Sequence, residues 1–546
     1  MQIARIGDGS AQRYPAEIVG SKAANLARMA ALGLPVPPAF VLPIGLCAAM
    51  AKGDAAAAEE LADGLTEGME FLENVTGKLF GDRRRPLLVS VRSGAARSMP
   101  GMLDTVLNVG CTPAAVRGLV RMTGHPRFAS DCRRRFLESY GSVVLGIDPA
   151  AFAGKRTELI VSEGAGSERA LDCEALERLA ASYEQIIEDD EHVLSDDPME
   201  QLRTAAQAVF RSWMSERACT YRRLEQLEDL QGTAVTIQAM VFGNGGVSSG
   251  AGVAFSRDPS TGAAKPVIDV LFESQGEDVV SGGHNPETEE ALARFLPEVA
   301  TQLRDALCRL EQDFADIQDV EFTIEDGKLW MLQTRAAKRT PQAALRLAID
   351  FVNEGRITPA QALQRLSGLD LRTLVHQRLK AIDQPAGHGT CASAGVAVGR
   401  AAFDRESAAR LTASGDPVIL VRPDTTTSDV GGFAVAAGIV TAVGGRTAHA
   451  ALVARQMGKP CIVGCAELSI DVAGHRAQLA GAAIQEGDWL SIDGEAGTIY
   501  LGRGEVIAER PEAELAQVER WRADSHRCVI TAGAAPPPRP RDSRPS

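Results

Sequence analysis

The spacing of apolar residues changes along this chain, and these changes limit the folds that it can adopt. Residues 111–230 carry apolar residues at helical spacing between runs of charged residues. From residue 232 the period shortens to that of β-strands separated by turns, and residues 341–385 return to helical spacing. Short strands and helices then alternate from residue 388 to about residue 503. This order predicts a multidomain protein that combines α/β and α+β structure.

Length, charge and cysteine content narrow the class of protein. A chain of 546 residues predicts two to four domains, at about 150 residues each. The net charge of −14 argues against a nucleic acid or an anionic membrane as the main partner. The ten cysteines include no pair at C-x-x-C spacing, which favours a reducing, cytoplasmic location. We expect no signal peptide, and prolines break the most apolar early stretch, residues 23–50, so we also expect no membrane span.

Two basic residues lie where proteins commonly bind phosphate. Ser21 is predicted to cap a helix that ends at Gly33, which places Lys22 beside free backbone N–H groups. Arg92 ends the short strand in PLLVSVRSG, just before a loop of glycine and other small residues. A guanidinium in this position suits bidentate phosphate binding. Each signal taken alone also fits an ordinary exposed lysine and a plain turn.

The segment DVEFTIEDGKLWMLQTR, residues 319–335, has the pattern of a β-hairpin. Alternate residues of a strand share a face, so Asp319 and Glu321 are predicted to point the same way, as are Gln333 and Arg335. The hairpin then brings two oxygen-bearing groups and one arginine together over a magnesium–nucleotide complex, because Mg²⁺ prefers oxygen ligands plus phosphate oxygens. A solvated hairpin face is the alternative explanation.

A single histidine, His449, lies in the segment GGRTAHAALVARQMGKP, residues 444–460. A buried strand over residues 438–443 leads into a Gly-Gly turn, and Thr447 is the candidate N-cap of a helix over residues 448–457. His449 is therefore predicted in the first helical turn. Free N–H groups and the helix dipole would favour a phosphoryl group on its ring there.

These residues alone are consistent with more than one role for His449. A neutral imidazole is nucleophilic near pH 7 and can carry a covalent phosphoryl intermediate, with Arg446 and Arg455 adding positive charge. A lone histidine at a helix start is also commonly a surface residue. Only Cys461 and Cys465 are near in sequence as further metal ligands, which argues against a metal site.

A family resemblance covers about residues 15–345. Seven segments resemble, in order, the N-terminal ATP-grasp region of the pyruvate phosphate dikinase family. They are SKAANLARMAALGLPVPPAF, VSVRSGAARSMPGMLDTVLNVG, DPMEQLRTAAQAVFRSW, GTAVTIQAMVFGNGG, AGVAFSRDPSTG, QGEDVVSG and DVEFTIEDGKLWMLQTR. The resemblance implies an ATP-grasp nucleotide-binding domain over residues 1–340, with a helical insert at about residues 111–230.

The same resemblance implies roles for individual residues. The residues expected to contact ATP, with Asp319 supporting the site, are Lys22, Arg92, Gln238, Gly250, Gly252, Glu277, Asp319 and Arg335. Gly250 and Gly252 belong to SSGAG, residues 248–252, which would form a glycine-rich phosphate loop. Glu321 and Gln333 are expected to hold Mg²⁺.

A second resemblance covers the C-terminal part of the chain. ASAGVAVGRAAF, GGRTAHAALVARQMGKPCIVGC and EGDWLSIDGEAGTIYLG resemble the swivelling β/β/α phosphohistidine domain shared by pyruvate phosphate dikinase and phosphoenolpyruvate synthase. This implies a phosphohistidine domain over residues 388–505, a helical linker over 341–387, and a helix with a disordered tail over 506–546. His449 aligns with the family's phosphocarrier. Arg446 departs from the dikinases, which usually have methionine there, whereas the synthases have arginine. Thr447 is the position where some dikinases are regulated by phosphorylation.

These resemblances predict an ATP-dependent phosphotransferase that phosphorylates its own His449 and uses ATP, Mg²⁺ and phosphate. The family's pyruvate- or phosphoenolpyruvate-binding TIM barrel needs about 250 residues, and only 43 follow residue 503. We therefore expect the acceptor, pyruvate, on a separate barrel chain. Two alternatives stay open. One is a phosphotransferase with a different small-molecule acceptor, and the other is a non-catalytic, nucleotide-sensing regulatory homologue.

Overall fold

The computed structural model describes residues 2–52, 54–97, 99, 102–280, 284–380, 384–424, 430–446 and 449–532. Backbone alone is described for Val280, Val430, Gly431, His449 and residues 525–532. The fold combines helices with three main sheets, as the changes in apolar spacing predict. Within the described residues, no helix has both the length and the apolar character needed to cross a lipid bilayer.

The first sheet is antiparallel, with the strand order β1-β2-β7-β5-β6. The strands in this part of the chain are β1 (Ala4–Ile6), β2 (Ala39–Leu42), β3 (Leu79–Phe80), β4 (Pro86–Leu87), β5 (Val89–Ala95), β6 (Thr105–Val109) and β7 (Thr233–Ala239). Strands β3 and β4 form a separate two-stranded sheet. The helices of this part are α1 (Ala16–Ala31), α2 (Ile44–Ala51), α3 (Ala55–Thr76), α4 (Pro113–Thr123), α5 (Pro126–Tyr140), α6 (Pro149–Ser162), α7 (Cys173–Asp189), α8 (Pro198–Ser212) and α9 (Glu216–Leu224). Helices α4 to α9 confirm the predicted helical stretch, and their apolar faces join the sheet in one large core.

The second sheet is also antiparallel and contains the predicted hairpin. Its strand order is β10-β9-β8-β11-β12. The strands are β8 (Gly250–Phe255), β9 (Val267–Phe272), β10 (Glu287–Thr288), β11 (Gln318–Glu325) and β12 (Lys328–Ala336), and the helices are α10 (Gly276–Val280), α11 (Glu289–Phe295) and α12 (Pro297–Phe314). Helices α1 and α12 share a second core with strands of both sheets, which holds the two sheets together.

A small helical body follows the second sheet. It consists of α13 (Pro341–Asn353), α14 (Pro359–Leu366) and the last helix, α18 (Glu512–Ala532). Leu515, Val518 and Trp521 of α18 pack into the core formed by α13 and α14. We call these three helices the hinge bundle. The prediction of helix throughout residues 341–385 was wrong at its end, because β13 (His376–Leu379) pairs with β25 (Val506–Glu509), a partner too distant in sequence for local periodicity to reveal.

The third sheet forms a C-terminal module over residues 387–501. Its order is β14-β24-β23-β16-β17-β18-β19-β15, and a three-stranded sheet β20-β21-β22 packs beside it. The strands are β14 (Gly387–His388), β15 (Thr390–Ser393), β16 (Val396–Ala402), β17 (Val418–Arg422), β18 (Gly438–Thr441), β19 (Cys461–Val463), β20 (Leu468–Asp471), β21 (Arg476–Leu479), β22 (Ala482–Gln485), β23 (Trp489–Asp493) and β24 (Thr498–Leu501). The helices are α15 (Arg405–Ala413), α16 (Val430–Val435) and α17 (His449–Met457). The predicted alternation of strands and helices is confirmed, and the tail predicted to be disordered lies outside the described residues beyond residue 532.

Candidate functional site

A cleft of about 360 Å³ lies between the first and second sheets. Side chains from α1, β5, β7, β11 and β12 line it, so the two sheets form its opposite walls. The sequence-predicted residues that line this cleft are Lys22, Arg92, Gln238, Gly252, Glu277, Glu321, Gln333 and Arg335. Asp319 and Gly250 are not among the residues that line it. The tertiary structure therefore brings eight of the ten predicted ATP- and metal-binding residues together around one cavity.

Lys22 reaches the cleft because helix α1 is broken immediately before it. The helix begins at Ala16 rather than at Ser21, but Gly20 interrupts it with a non-helical φ of 80° and ψ of 156°. The backbone of Gly20 also lies against the carbonyl of Gly94 in β5, where a Cβ atom would overlap. The predicted capping role of Ser21 was wrong, since its hydroxyl donates instead to the carbonyl oxygen of Ala95 at 3.1 Å. The break at Gly20 thus fixes the start of the second helical segment, and Lys22, against strand β5.

Two basic side chains of the cleft, Lys22 and Arg92, form no salt bridge with any carboxylate that the structure describes. The surrounding protein desolvates Lys22 and lowers its pKa, and the positive charges of Arg92 and Arg335 lower it further, although Glu321 opposes them. The pKa of Arg92 is also lowered by desolvation. Three cations at one end of a cleft repel each other, and a polyphosphate anion would relieve that repulsion.

The hairpin of β11 and β12 has the predicted geometry. Asp319 pairs with Arg335 across the two strands, and Glu321 pairs with Gln333, so the four side chains follow the predicted face. Arg335 Nε donates to Asp319 Oδ2 at 2.8 Å. Burial raises the pKa of Asp319, while the charge of Arg335 opposes that shift. Asp319, whose side chain is only 2% exposed, therefore holds the Arg335 guanidinium in place.

Glu321 and Gln333 offer oxygen ligands at the cleft surface. Both line the cavity, and they face each other across the hairpin. Asp319 Oδ1, beside them, is buried and has no hydrogen-bond partner among the residues that the structure describes. No group of three or more histidine, cysteine or acidic side chains suited to a metal occurs among the described residues. Two protein oxygens completed by phosphate and water oxygens are a set that Mg²⁺ accepts, so these residues fit the predicted ion.

The prediction of a phosphate loop in SSGAG was wrong in its local structure. Gly250 and Gly252 lie inside strand β8 rather than in a loop. A Cβ at Gly252 would overlap the ring of Phe322, and one at Gly250 would lie 2.8 Å from the carbonyl oxygen of Leu271. Close packing inside the sheet therefore accounts for both glycines. Gly252 still lines the cleft through its backbone, whereas Gly250 does not.

Sequence reasoning missed Arg135, which lies on the fifth helix and lines the cleft. Its guanidinium bonds to Asp131 at 3.0 Å, to Asp278 at 2.9 Å and to Glu277 at 3.3 Å. Burial raises the pKa of Glu277, although Arg135 opposes the shift. Arg135 thus ties the helical part of the chain to α10 at the cleft mouth. The helical pattern around it contains no signal for this role, because its acidic partners on α10 lie more than 140 positions away.

The C-terminal module contacts the second sheet through the turn that precedes His449. Arg446 N donates to Asp269 Oδ2 at 2.7 Å, and Gly444 N donates to Asn285 Oδ1 at 3.0 Å. The Arg446 guanidinium lies 3.5 Å from the other oxygen of Asp269, whose side chain is 4% exposed. Burial raises the pKa of Asp269, and the charge of Arg446 opposes that shift. A Cβ at Gly445 would lie 2.8 Å from Asp269 Oδ2, so glycine permits this close approach.

Helix α17 begins at His449, in agreement with the predicted position in the first helical turn. Thr447, the predicted N-cap, lies outside the described residues, as does the side chain of His449. Arg455, on the same helix, is 1% exposed; it donates to the carbonyl of Arg446 at 2.6 Å and to that of Ala392 at 3.1 Å. Arg455 therefore supports the turn that leads to His449.

Comparison with known protein families gives two matches. Residues 53–294 and 284–355 match the family model described as pyruvate phosphate dikinase, AMP/ATP-binding domain. Residues 414–497 match the model described as PEP-utilising enzyme, mobile domain. The first match contains the cleft residues of β5, β7, β11 and β12, and the second contains helix α17 with His449.

Curated relatives match almost the whole chain. Pyruvate, phosphate dikinase 1, chloroplastic, from Arabidopsis thaliana is 40% identical over 95% of this chain and 54% of the relative. Pyruvate, phosphate dikinase from Clostridium symbiosum is 40% identical over 94% of this chain and 59% of the relative. The enzyme of the same name from Rhizobium meliloti is 40% identical over 96% of this chain and 60% of the relative. This chain therefore spans between half and two thirds of the length of these relatives.

Proposed function

Because this chain belongs to the pyruvate phosphate dikinase family, we propose that it transfers phosphoryl groups from ATP to its own His449. The observation that carries the proposal is the presence in one chain of an ATP-binding cleft and of a docked module that bears a histidine at a helix start. ATP is the substrate that the AMP/ATP-binding domain implies. Its phosphates would contact Lys22, Arg92 and Arg335.

The chemical step that we propose is the one implied by the family to which the chain belongs. An imidazole nitrogen of His449 attacks the β-phosphorus of ATP, the bond between that phosphorus and the α–β bridging oxygen breaks, and AMP leaves with the bond's electron pair. Phosphate or water then takes the γ-phosphoryl group, which leaves phosphohistidine. Lys22, Arg92 and Arg335 offset the negative charge during the transfer. Glu321 and Gln333 would hold Mg²⁺, which supplies further charge neutralisation when bound.

Two groups would position the reaction. Asp319 would hold the Arg335 guanidinium in the cleft, through the 2.8 Å hydrogen bond. The contacts of Gly444 and Arg446 with Asn285 and Asp269 would hold the module against the second sheet. After transfer, the C-terminal module would move away from the second sheet, with the hinge bundle as the pivot. It would then carry its phosphoryl group to an acceptor. We propose pyruvate as that acceptor, bound on a separate barrel chain and converted there to phosphoenolpyruvate, with a cytoplasmic location.

The test is direct labelling of the purified chain. We expect acid-labile label on the protein after incubation with ATP labelled at the β-phosphorus, and none on the variant His449→Ala. His388→Ala is the matched control, because His388 is exposed at the edge of the same module, and it should label normally. Equal labelling of His449→Ala and the unmodified chain would refute the proposal.

Label position and phosphate dependence refine the result. A γ-label should be lost from the protein while the β-label stays, and a requirement for added phosphate would identify phosphate rather than water as the second acceptor. Addition of pyruvate should release little phosphoenolpyruvate from this chain alone. Rapid pyruvate-dependent turnover would contradict the separate acceptor chain and leave the histidine step intact.

A further inference from the structure

A ring of five hydrogen-bonded residues forms one wall of the nucleotide cleft. Arg135 of α5 donates to Asp131 at 3.0 Å and to Asp278 at 2.9 Å. Asp278 also accepts the backbone N–H of Gln275 at 2.9 Å. The Gln275 side chain donates through Nε2 to Asn244 Oδ1 at 2.7 Å, and Asn244 Nδ2 donates in turn to Asp131 Oδ2 at 2.7 Å. The ring therefore closes on itself, and two of its members, Arg135 and Gln275, line the cleft.

The carboxylate of Asp131 sets the direction of the hydrogen bonds between the two amides. Burial alone would raise the pKa of Asp131, but the charges of Arg135 and Arg134 hold that pKa well below its ordinary value. The side chain therefore stays ionised and can only accept hydrogen bonds. Asn244 must turn its NH₂ group toward Asp131 and its oxygen toward Gln275. Gln275 must then present its own NH₂ group to Asn244, which leaves Gln275 Oε1 on the other side of its amide.

Gln275 Oε1 is an acceptor that the protein itself does not use. It accepts no hydrogen bond from any residue that the structure describes, and it is not among the enclosed polar atoms of those residues. Because Gln275 lines the cleft, this oxygen is open to a ligand there. The rest of the amide is held firmly, since Gln275 is only 7% exposed and Asn244 only 8%. An acceptor fixed in this way loses little freedom when a donor binds.

On one side of Gln275 lies an apolar part of the cleft. The chain segment that follows β7 lines the cleft with Met240 and Val241. The same segment then passes directly beside Gln275, because a Cβ on Gly243 would overlap the carbonyl oxygen of Ser274. Apolar side chains are the surface that a flat nucleotide base requires. The base of a bound nucleotide would therefore lie on this side.

On the other side of Gln275 lies the cationic part of the cleft. Desolvation lowers the pKa of Arg92, and the charge of Glu277 opposes that shift, so these two side chains are near each other. Glu277 follows Gln275 by two positions and lines the same cleft. Gln275 thus lies between the surface for the base and a cation suited to the phosphates. In a nucleotide, the ribose joins these two parts, and its hydroxyls are hydrogen-bond donors.

From this geometry, we propose that Gln275 Oε1 accepts a hydrogen bond from a ribose hydroxyl of ATP and that Asn244 is the positioning residue that directs it. A nucleotide without that hydroxyl would leave Oε1 unbonded in a partly desolvated cleft, so Gln275 would favour ribonucleotides over their deoxy forms. The inference rests on the proposed use of ATP in this cleft, but it does not depend on phosphoryl transfer to His449.

Calorimetry on the full chain tests the contact with three kinds of probe. They are α,β-methylene-ATP, the 2′-deoxy and 3′-deoxy forms of this analogue, and inorganic tripolyphosphate, which has no ribose. Gln275→Ala should weaken α,β-methylene-ATP binding by about three- to tenfold, the effect of one hydrogen bond between uncharged groups, and leave tripolyphosphate binding unchanged. One deoxy analogue should bind the unmodified chain more weakly by a similar factor and bind Gln275→Ala with no further loss. Equal weakening of tripolyphosphate, or a further loss with both deoxy analogues, would overturn the contact.

Asn244→Ala tests the positioning role. It should also weaken α,β-methylene-ATP binding, and adding it to Gln275→Ala should cause no further loss, because Asn244 acts only through Gln275. Additive losses would refute that role. Asp131 keeps both of its arginine partners in this variant, so the chain should remain folded. The matched control is Gln201→Ala, which removes a buried amide of α8 that does not line the cleft; it should lower thermal stability and leave nucleotide affinity unchanged.

The binding measurements also separate this inference from the proposed function. Failure of His449 labelling, with the binding results as expected, would refute only the proposed phosphoryl transfer. Normal labelling with unchanged nucleotide affinity in Gln275→Ala would refute only the ribose contact. Absence of α,β-methylene-ATP binding to the unmodified chain would overturn both.

Discussion

The substitution Gly20→Ala tests how the chain places Lys22 in the cleft. Gly20 has a φ of 80° and a ψ of 156°, a region that costs a residue with a Cβ atom about 1–3 kcal/mol. In addition, the new Cβ would overlap the carbonyl oxygen of Gly94 and lie 2.5 Å from its carbonyl carbon. These are backbone atoms in strand β5, which cannot rotate away as a side chain can. Overpacking of this kind costs about 1–3 kcal/mol more.

The matched control is Gly9→Ala. Gly9 has a φ of 86°, but a Cβ built on it meets no atom within 4 Å. The two variants therefore share the cost of positive φ and differ in the overlap with Gly94. We expect the unfolding free energy to fall by about 2–6 kcal/mol in Gly20→Ala and by about 1–3 kcal/mol in Gly9→Ala, as the two costs above predict.

Chemical denaturation measures these free energies, and calorimetry with α,β-methylene-ATP measures the effect on the cleft. Relief of the overlap must move α1 away from β5, and Lys22 lies two residues after Gly20, so nucleotide affinity should fall in Gly20→Ala alone. Equal stability and equal nucleotide affinity in the two variants would refute the argument that the contact between Gly20 and Gly94 positions Lys22.

Three further predictions concern the cleft and the docked module. Gly445→Ala should slow labelling of the chain by ATP, because the new Cβ would overlap Pro286 and lie 2.8 Å from Asp269 Oδ2. Adding Pro286→Ala to this variant should restore part of the labelling rate. If the rate is not restored, the contact with Pro286 is not the cause of the slow labelling. Desolvation lowers the pKa of Lys22 below its ordinary 10.5, and bound phosphates would raise that pKa again. Nucleotide affinity should therefore decline as the pH rises through the lowered pKa of the free protein. Titration calorimetry at a series of pH values should show this decline in the unmodified chain and not in Lys22→Arg. Arg335→Gln should slow labelling by about 100- to 1,000-fold and destabilise the fold by about 3–5 kcal/mol, since it leaves Asp319 buried and unpaired. Adding Asp319→Asn should then restore thermal stability without the activity, and a double variant as unstable as the single one would contradict this account.

The elements that local pattern predicted are those whose folding depends on neighbours in sequence. The period of two in residues 319–335, with the turn between the strands, set the pairing of Asp319 with Arg335 and of Glu321 with Gln333. Apolar residues at helical spacing likewise predicted α4 to α9. In both cases the physical cause, alternate side chains on a strand or a stripe on a helix, acts over a few residues.

Several features were beyond the reach of such patterns. The helix containing Arg135 looks like any amphipathic helix until the fold brings α10 beside it. Gly252 resembles a loop glycine in sequence, but the ring of Phe322, 70 positions later, is what requires it. The pairing of β13 with β25 joins residues 376–379 to 506–509, and nothing in either segment identifies its partner.

The sequence by itself determined the order of helices and strands, the facing side chains of the hairpin and, through the family resemblance, the expectation of a nucleotide site and a histidine carrier. Only the tertiary structure decided that Gly20 must approach Gly94 and that the turn before His449 docks on Asp269. Each of these features depends on atoms brought together from distant parts of the chain. Their energies come from close packing and from charges placed in desolvated surroundings, and both are properties of the assembled fold.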